Sequence, residues 1–112
     1  MTAGGSAWHH PVRRESGRRA GLAAVELNGR SVAFEEGTLL WHGEEAMVDW
    51  HIVLVHVSAR DVLASGAAEG ECDVAALTAQ GERLEGRGSL LQFASGADSL
   101  RLIGRSSLSR CA

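Results

Sequence analysis

Residues 47–57 place apolar side chains on both sides of an extended backbone. Trp50, Ile52, Leu54 and His56 fall on one side, and His51, Val53, Val55 and Val57 on the other. No Gly or Pro interrupts the run, and its β-branched content suits a strand covered on both faces. It is predicted as the central strand. Flanking pieces are shorter. Residues 22–27 are apolar and close at Asn28-Gly29, a pair that accepts the positive φ angles of a two-residue hairpin turn. Residues 31–34 read as a short strand and 35–38 as a turn. Residues 39–41 begin a strand that Gly43 bends or bulges.

The pattern changes after Val57. Residues 58–70 are Ala-rich, with room for a helical turn or two, but Gly66 and Gly70 argue for a loop. Residues 72–78 form a strand that Gln80-Gly81 ends, and 83–88 a charged, Gly-punctuated connection. Residues 89–93 and 99–103 then read as a second hairpin around a turn at 94–98, which Gly104 ends. Helices and strands do not alternate, and no segment repeats. The predicted fold is all-β, a small, strongly bent antiparallel barrel of about five strands over residues 20–112. A flexible Arg-rich arm, residues 1–19, precedes it.

A chain of 112 residues supports one small core. No apolar run reaches the ~18 residues of a membrane span, so no membrane role is expected. The basic start of the chain lacks the apolar stretch of a secretory signal, which favours a cytoplasmic or nuclear location, although an Arg-rich transit peptide fits the same residues. All eleven basic residues are Arg, a bias that codon usage explains without nucleic acid. Charge is uneven. Residues 1–19 carry a formal +3 and residues 20–112 a formal −6, together the −3 of the chain. An acidic body opposes non-specific nucleic-acid binding, which runs on phosphate neutralisation.

Candidate chemistry is sparse. Cys72 and Cys111 lack zinc-finger spacing, so no structural metal and no cofactor is expected. His9-His10 offers at most weak metal contact, and His42, His51 and His56 are spread over what read as adjacent strands. Asp49 and His51 share one face of a strand, with Glu44 and Glu45 close in sequence, so a carboxylate–imidazole general base is geometrically possible. No phosphate loop, nucleophile elbow or Cys–His pair completes an enzyme site. The expectation is a non-catalytic protein, with a small β-barrel enzyme using Asp49 and His51 as an alternative.

The order of elements resembles the Sm and Sm-like (LSm) family over about residues 28–108. Glu35-Glu36-Gly37 stands where that family has an acidic-Gly turn, Gly43 where its second strand bends, and Asp49 before the third strand, whose apolar part is Ile52-Val53-Leu54. Gly88 to Phe93, then Ser95-Gly96-Ala97-Asp98, then Ser99 to Leu102 resemble its closing strand, turn and strand. The resemblance implies an oligomeric barrel in RNA processing or ribonucleoprotein assembly. It places RNA contacts at Asp49, Trp50, His51 and Gly96.

Two departures qualify the RNA part. Asp49-Trp50-His51 runs into Ile52 without the family's Met-Asn, and the last turn has no Arg, so the groups that hold a base are missing. The chain is thus more similar to the auxiliary-subunit type of Sm-like protein, with other Sm-like chains or a large enzyme subunit as partners, and weak RNA binding by the isolated domain is expected. Assembly is expected through strand edges at the second hairpin, by Leu90, Gln92, Leu100, Arg101 and Leu102, because neither strand carries the Pro or Lys that blunts an edge. A second resemblance, to pleckstrin-like domains of the pICln type that bind Sm proteins, rests on residues 27–30, 37–39 and 58–61. It implies seven strands and a C-terminal capping helix.

Overall fold

The computed structural model describes residues 17–42, 48–92 and 99–110. These form β1 (Gly17–Leu27), β2 (Arg30–Ser31), β3 (Glu36–His42), β4 (Val48–Val55), helix α1 (Ala59–Ser65), a 3-10 turn (Ala67–Glu69), β5 (Cys72–Thr78), β6 (Arg83–Gln92), β7 (Ser99–Gly104) and β8 (Ser109–Arg110). All strand pairs are antiparallel, in the order β1-β3-β4-β7-β6-β5, and β5 pairs back onto β1 from Leu22↔Thr78 to Leu27↔Val74. The sheet is a closed six-strand barrel. Strands β5, β6 and β7 form a meander whose last strand returns beside β4, a Greek-key connection. The two short strands are additions, β2 on β1 and β8 on β6.

Side-chain alternation fills the interior. Trp50, Ile52 and Leu54 of β4, Cys72, Val74 and Ala76 of β5, Leu84 of β6, and Leu100 and Leu102 of β7 are all buried. On β1 the inward residues are Leu22, Val25 and Leu27, a change of parity that the register shift between Leu22 and Ala24 produces. Val62 of α1 and Ala67 of the 3-10 turn join the same core, so the β4–β5 connection packs against the barrel.

Local chemistry anchors that connection. Ser58 caps α1, its hydroxyl accepting the Asp61 N–H at 3.2 Å, and Gly66 ends the helix in the left-handed conformation, φ 80°. Asn28, φ 52° in the hairpin turn, accepts the Asp73 N–H on its side-chain oxygen at 2.9 Å and donates its side-chain amide to Ser65 O at 2.9 Å. The Asp61 carboxylate accepts the Ala33 N–H at 3.0 Å and pairs with Arg30 at 3.3 Å. The Ala33 N–H foremost, and then Arg30 and Ser58, hold the Asp61 carboxyl below its ordinary value against partial desolvation. A depressed folded-state value stabilises the protein above the unfolded-state value and loses that effect as pH falls through the folded one. Asp61→Asn is therefore expected to lower the melting temperature at neutral pH, with the gap to wild type closing below about pH 4. Melting curves from pH 7 to pH 2 test this, and a gap independent of pH counts against it.

Several expectations change. The barrel has six strands, not about five. Residues 35–38 are not a turn: Glu36 to Thr38 pair with Val55 to Val53, and Gly37 is small because a Cβ there would stand 2.8 Å from Leu54 Cδ2 and 2.9 Å from Phe34 Cε2. The strand expected at 31–34 is confined to Arg30–Ser31. Residues 83–88 are strand rather than connection. Residues 58–70 hold a helix, because Gly66 is its cap and not its breaker. Gly17, Arg18 and Arg19, assigned to the arm, pair with His42, Trp41 and Leu40 in β1. The chain's described end is the short strand β8, where the pleckstrin-like reading requires a helix. Residues 72–78, 89–92 and 99–103 are strands as expected.

Candidate functional site

One rim of the barrel gathers the start of β1, the end of β3, the start of β4 and the end of β7. Its shape is set by a bulge. Leu40 pairs with His51 and His42 with Val48, so Asp49 and Trp50 together oppose Trp41. Asp49 takes φ 52°, the conformation that such a bulge requires of its first residue and that Asp tolerates better than most. Trp50 falls on the inward face with Ile52 and Leu54, with 1% of its surface exposed. Its indole N–H donates to Ser106 O at 2.6 Å. Its ring lies against two glycines that face each other across β6 and β7, Gly88 and Gly104.

Around that rim lie two adjoining cavities. One, of about 430 Å³, is lined by His42, Asp49, Trp50, His51, Ile103 and Gly104. The other, of about 290 Å³, is lined by Arg18, Arg19, Leu40, Trp41, His42 and His51. A third hollow beside Asp49 is lined by Gly104 to Ser107. Asp49 and His51 both line the larger cavity, and His42 lines it with them. Among the described residues that line the two adjoining cavities there is no Ser, Thr or Cys. The Ser106 hydroxyl accepts the Arg87 N–H at 2.9 Å and donates to Ser107 O at 3.3 Å, so it is engaged structurally. Among the described residues, no group of three His, Cys, Asp or Glu side chains is placed to hold a metal ion.

The other predicted site residues separate. Trp50 is core and unavailable to stack on a base. Leu100 and Leu102, 1% and 0% exposed, point into the barrel and are not contact residues. β7 is paired on both sides, with β4 and β6, so it presents no edge. Leu90 is half-buried and packs against the core, while Arg101 is exposed opposite Val53. Gln92 pairs with Arg101 at the end of β6. Gly96 and its turn, Gly43, Glu44, Glu45, His9, His10 and Cys111 lie outside the described residues. Cys72 is fully buried, and burial, reinforced by Asp73, pushes its thiol up, which makes it inert.

Trp41, Arg18 and Arg19 are rim residues that the sequence pattern did not single out; His42 was noted only as one of three spread histidines. The available signal was the Trp41-His42 pair ending an apolar strand. No helix among the described residues is long and apolar enough to cross a membrane. Compared with family models, curated proteins and solved structures, the chain matches none.

Proposed function

We propose that this chain is a non-catalytic β-barrel subunit that joins a larger protein complex through the end of β6. The observation that carries the reading is the one-sided pairing of residues 89–92. β5 pairs with β6 only as far as Cys72↔Gly88, whereas β7 continues to Gln92, so beyond Gly88 the second side of β6 has no strand partner among the described residues. Leu91 is the extra residue of a bulge there and is 57% exposed. The bulge bends this edge, but its backbone beyond Gly88 has no strand partner among the described residues, it carries an exposed Leu and it has no Pro or Lys to block a strand of another chain.

The partner strand is acidic and belongs to a different protein. Arg101 pairs with Gln92, and Arg105 donates to the Ser89 hydroxyl at 3.1 Å, so two copies of this edge would bring like charges together. Compared with the hairpin edge drawn from the sequence, the surface is narrower: β6 retains it and β7 is excluded. The Sm-like likeness remains a pattern of sequence, and RNA plays no part in this reading.

Affinity capture with cross-link mapping tests it. Wild type and Leu63→Asp, a control at the other exposed Leu, are expected to retain the same protein, cross-linked to residues 89–92. Leu91→Asp and Gln92→Pro are expected to lose it while melting within a few degrees of wild type. Retention by Leu91→Asp, or the absence of any protein cross-linked to β6, defeats the proposal.

A further inference from the structure

β4 is apolar on both sides, and the barrel core absorbs only one of them. Trp50, Ile52 and Leu54 point inward, which leaves His51, Val53 and Val55, all half-buried, on the outer surface. Register extends that surface sideways. His51 pairs with Leu40 and Ile103, Val53 with Thr38 and Arg101, and Val55 with Glu36. The described elements outside the barrel lie elsewhere: α1 packs beside β2 and the 3-10 turn, the 3-10 turn beside β6, and β8 along β6. An outer strand face that meets water alone is ordinarily polar. Here it is an apolar strip, Leu40, Val53, Val55 and Ile103, that no described element crosses.

Two charges of opposite sign stand on opposite flanks of this strip. Arg101 on β7 and Glu36 on β3 are both exposed, and neither has an ion-pair partner among the described residues, unlike Arg30, Arg83, Arg87 and Arg110. Within one chain β4 separates them. A half-turn about an axis parallel to β4 lays β4 of one copy on β4 of another, and β7 of each over β3 of the other. That rotation sets Arg101 of each copy towards Glu36 of its partner, and Ile103 towards Leu40. A half-turn about an axis across the strands sets β7 on β7 and β3 on β3 instead, like charge against like, and is disfavoured.

We infer that the outer face of β4 is a two-fold contact between two copies of this chain, with Val53 and Val55 packed across the axis and reciprocal Arg101–Glu36 ion pairs at its sides. A closed barrel curves away from any one strand, so the apolar contact is narrow and only long side chains reach across from β7 to β3. Arg and Glu are long enough to do so. A contact of this kind falls below the ~1,200–2,000 Å² of standard interfaces, and a dissociation constant on the order of 10 μM is expected. The end of β6 takes no part in it, so the contact stands apart from the docking edge proposed above.

Sedimentation velocity on the whole chain, from about 1 to 500 μM, tests this, and a shift from monomer to dimer mass is expected across that range. Arg101→Glu and Glu36→Arg each place like charges at both ion pairs and should weaken the dimer by about tenfold or more. The double variant restores opposite charges and should recover the wild-type constant to within about threefold, a recovery that damaged folding cannot produce. Leu91→Asp should dimerise like wild type. A chain that stays monomeric at about 500 μM overturns the inference. So does a dimer that neither charge reversal weakens, or a double variant as weak as the single ones. Loss of the dimer in Leu91→Asp places the contact at β6 and overturns it as well.

Discussion

Trp50→Ala is expected to lower the unfolding free energy by about 3–5 kcal/mol, the range for deleting a buried aromatic side chain. Trp50 is the largest of the fully buried side chains. It is also the side chain that closes the rim from inside. Its ring lies across the β6–β7 ladder where Gly88 faces Gly104, and its N–H ties β4 to the β7–β8 connection through Ser106 O. Removing it opens a cavity under two glycines, which have no side chains to collapse into the space, and leaves the Ser106 carbonyl without its donor. A small domain has a total stability of about 5–15 kcal/mol, so the variant stands near the unfolding threshold at 25 °C. Urea titration should show a lower midpoint with an unchanged slope. Trp50→Phe keeps most of the ring and should lose much less. A loss below about 1 kcal/mol for Trp50→Ala would contradict the packing described.

Gly104→Ala attacks the same contact from the other side. A Cβ on Gly104 would stand 2.4 Å from Trp50 Nε1, 2.5 Å from Cε2 and 2.7 Å from Cδ1, distances that no real Cβ contact tolerates. The ring is held at both ends. Its far edge is already close to Gly88, whose own Cβ would stand 3.0 Å from Trp50 Cη2, and its N–H is fixed to Ser106. Overpacking of a filled core costs about 1–3 kcal/mol and sometimes more, and the upper part of that range is expected here. The double mutant separates the clash from a backbone effect: in the Trp50→Ala background, Gly104→Ala should be nearly neutral. The coupling between the two sites should then reach about 1–3 kcal/mol by urea titration of all four proteins. Additive effects would mean that Gly104 matters for the strand and not for the ring.

These two glycines also show where the amino-acid pattern stopped being legible. β5 could be read to its ends, Cys72 and Thr78, because its alternation is clean and a Gly-containing turn follows it. Trp50, Ile52 and Leu54 were legible as one face of the strand, but His56 was grouped with them and which face turned inward was not legible. Gly37, Gly86 and Gly88, by contrast, read as punctuation, and two paired segments were taken for a turn and a connection. Each sits instead where a neighbour comes too close for a side chain: Leu54 and Phe34 at Gly37, Leu108 and the Ser107 carbonyl at Gly86, Trp50 and the Ile103 carbonyl at Gly88. That neighbour comes from elsewhere in the chain, so a local pattern does not reveal it. The rim follows the same logic. Asp49 and His51 were visible as strand neighbours, whereas Arg18 and Trp41 meet only through the register of β1 on β3, and Arg18 looked like part of an unstructured arm.

The closing seam between β1 and β5 has a kinetic meaning. It joins Leu22 to Thr78 and Leu27 to Val74, while the helix and the two barrel strands between them, β3 and β4, must already run in the right direction for the seam to form. Two of the six barrel pairings, β4–β7 and β1–β5, join strands distant in sequence, and loop-closure entropy is spent before these pairings return it. During synthesis β1 emerges first and waits for residues 72–78 with one side of its backbone uncovered. A chain of this topology belongs among the slow small folders, and its time of greatest exposure to aggregation or to a chaperone is the interval before that seam shuts.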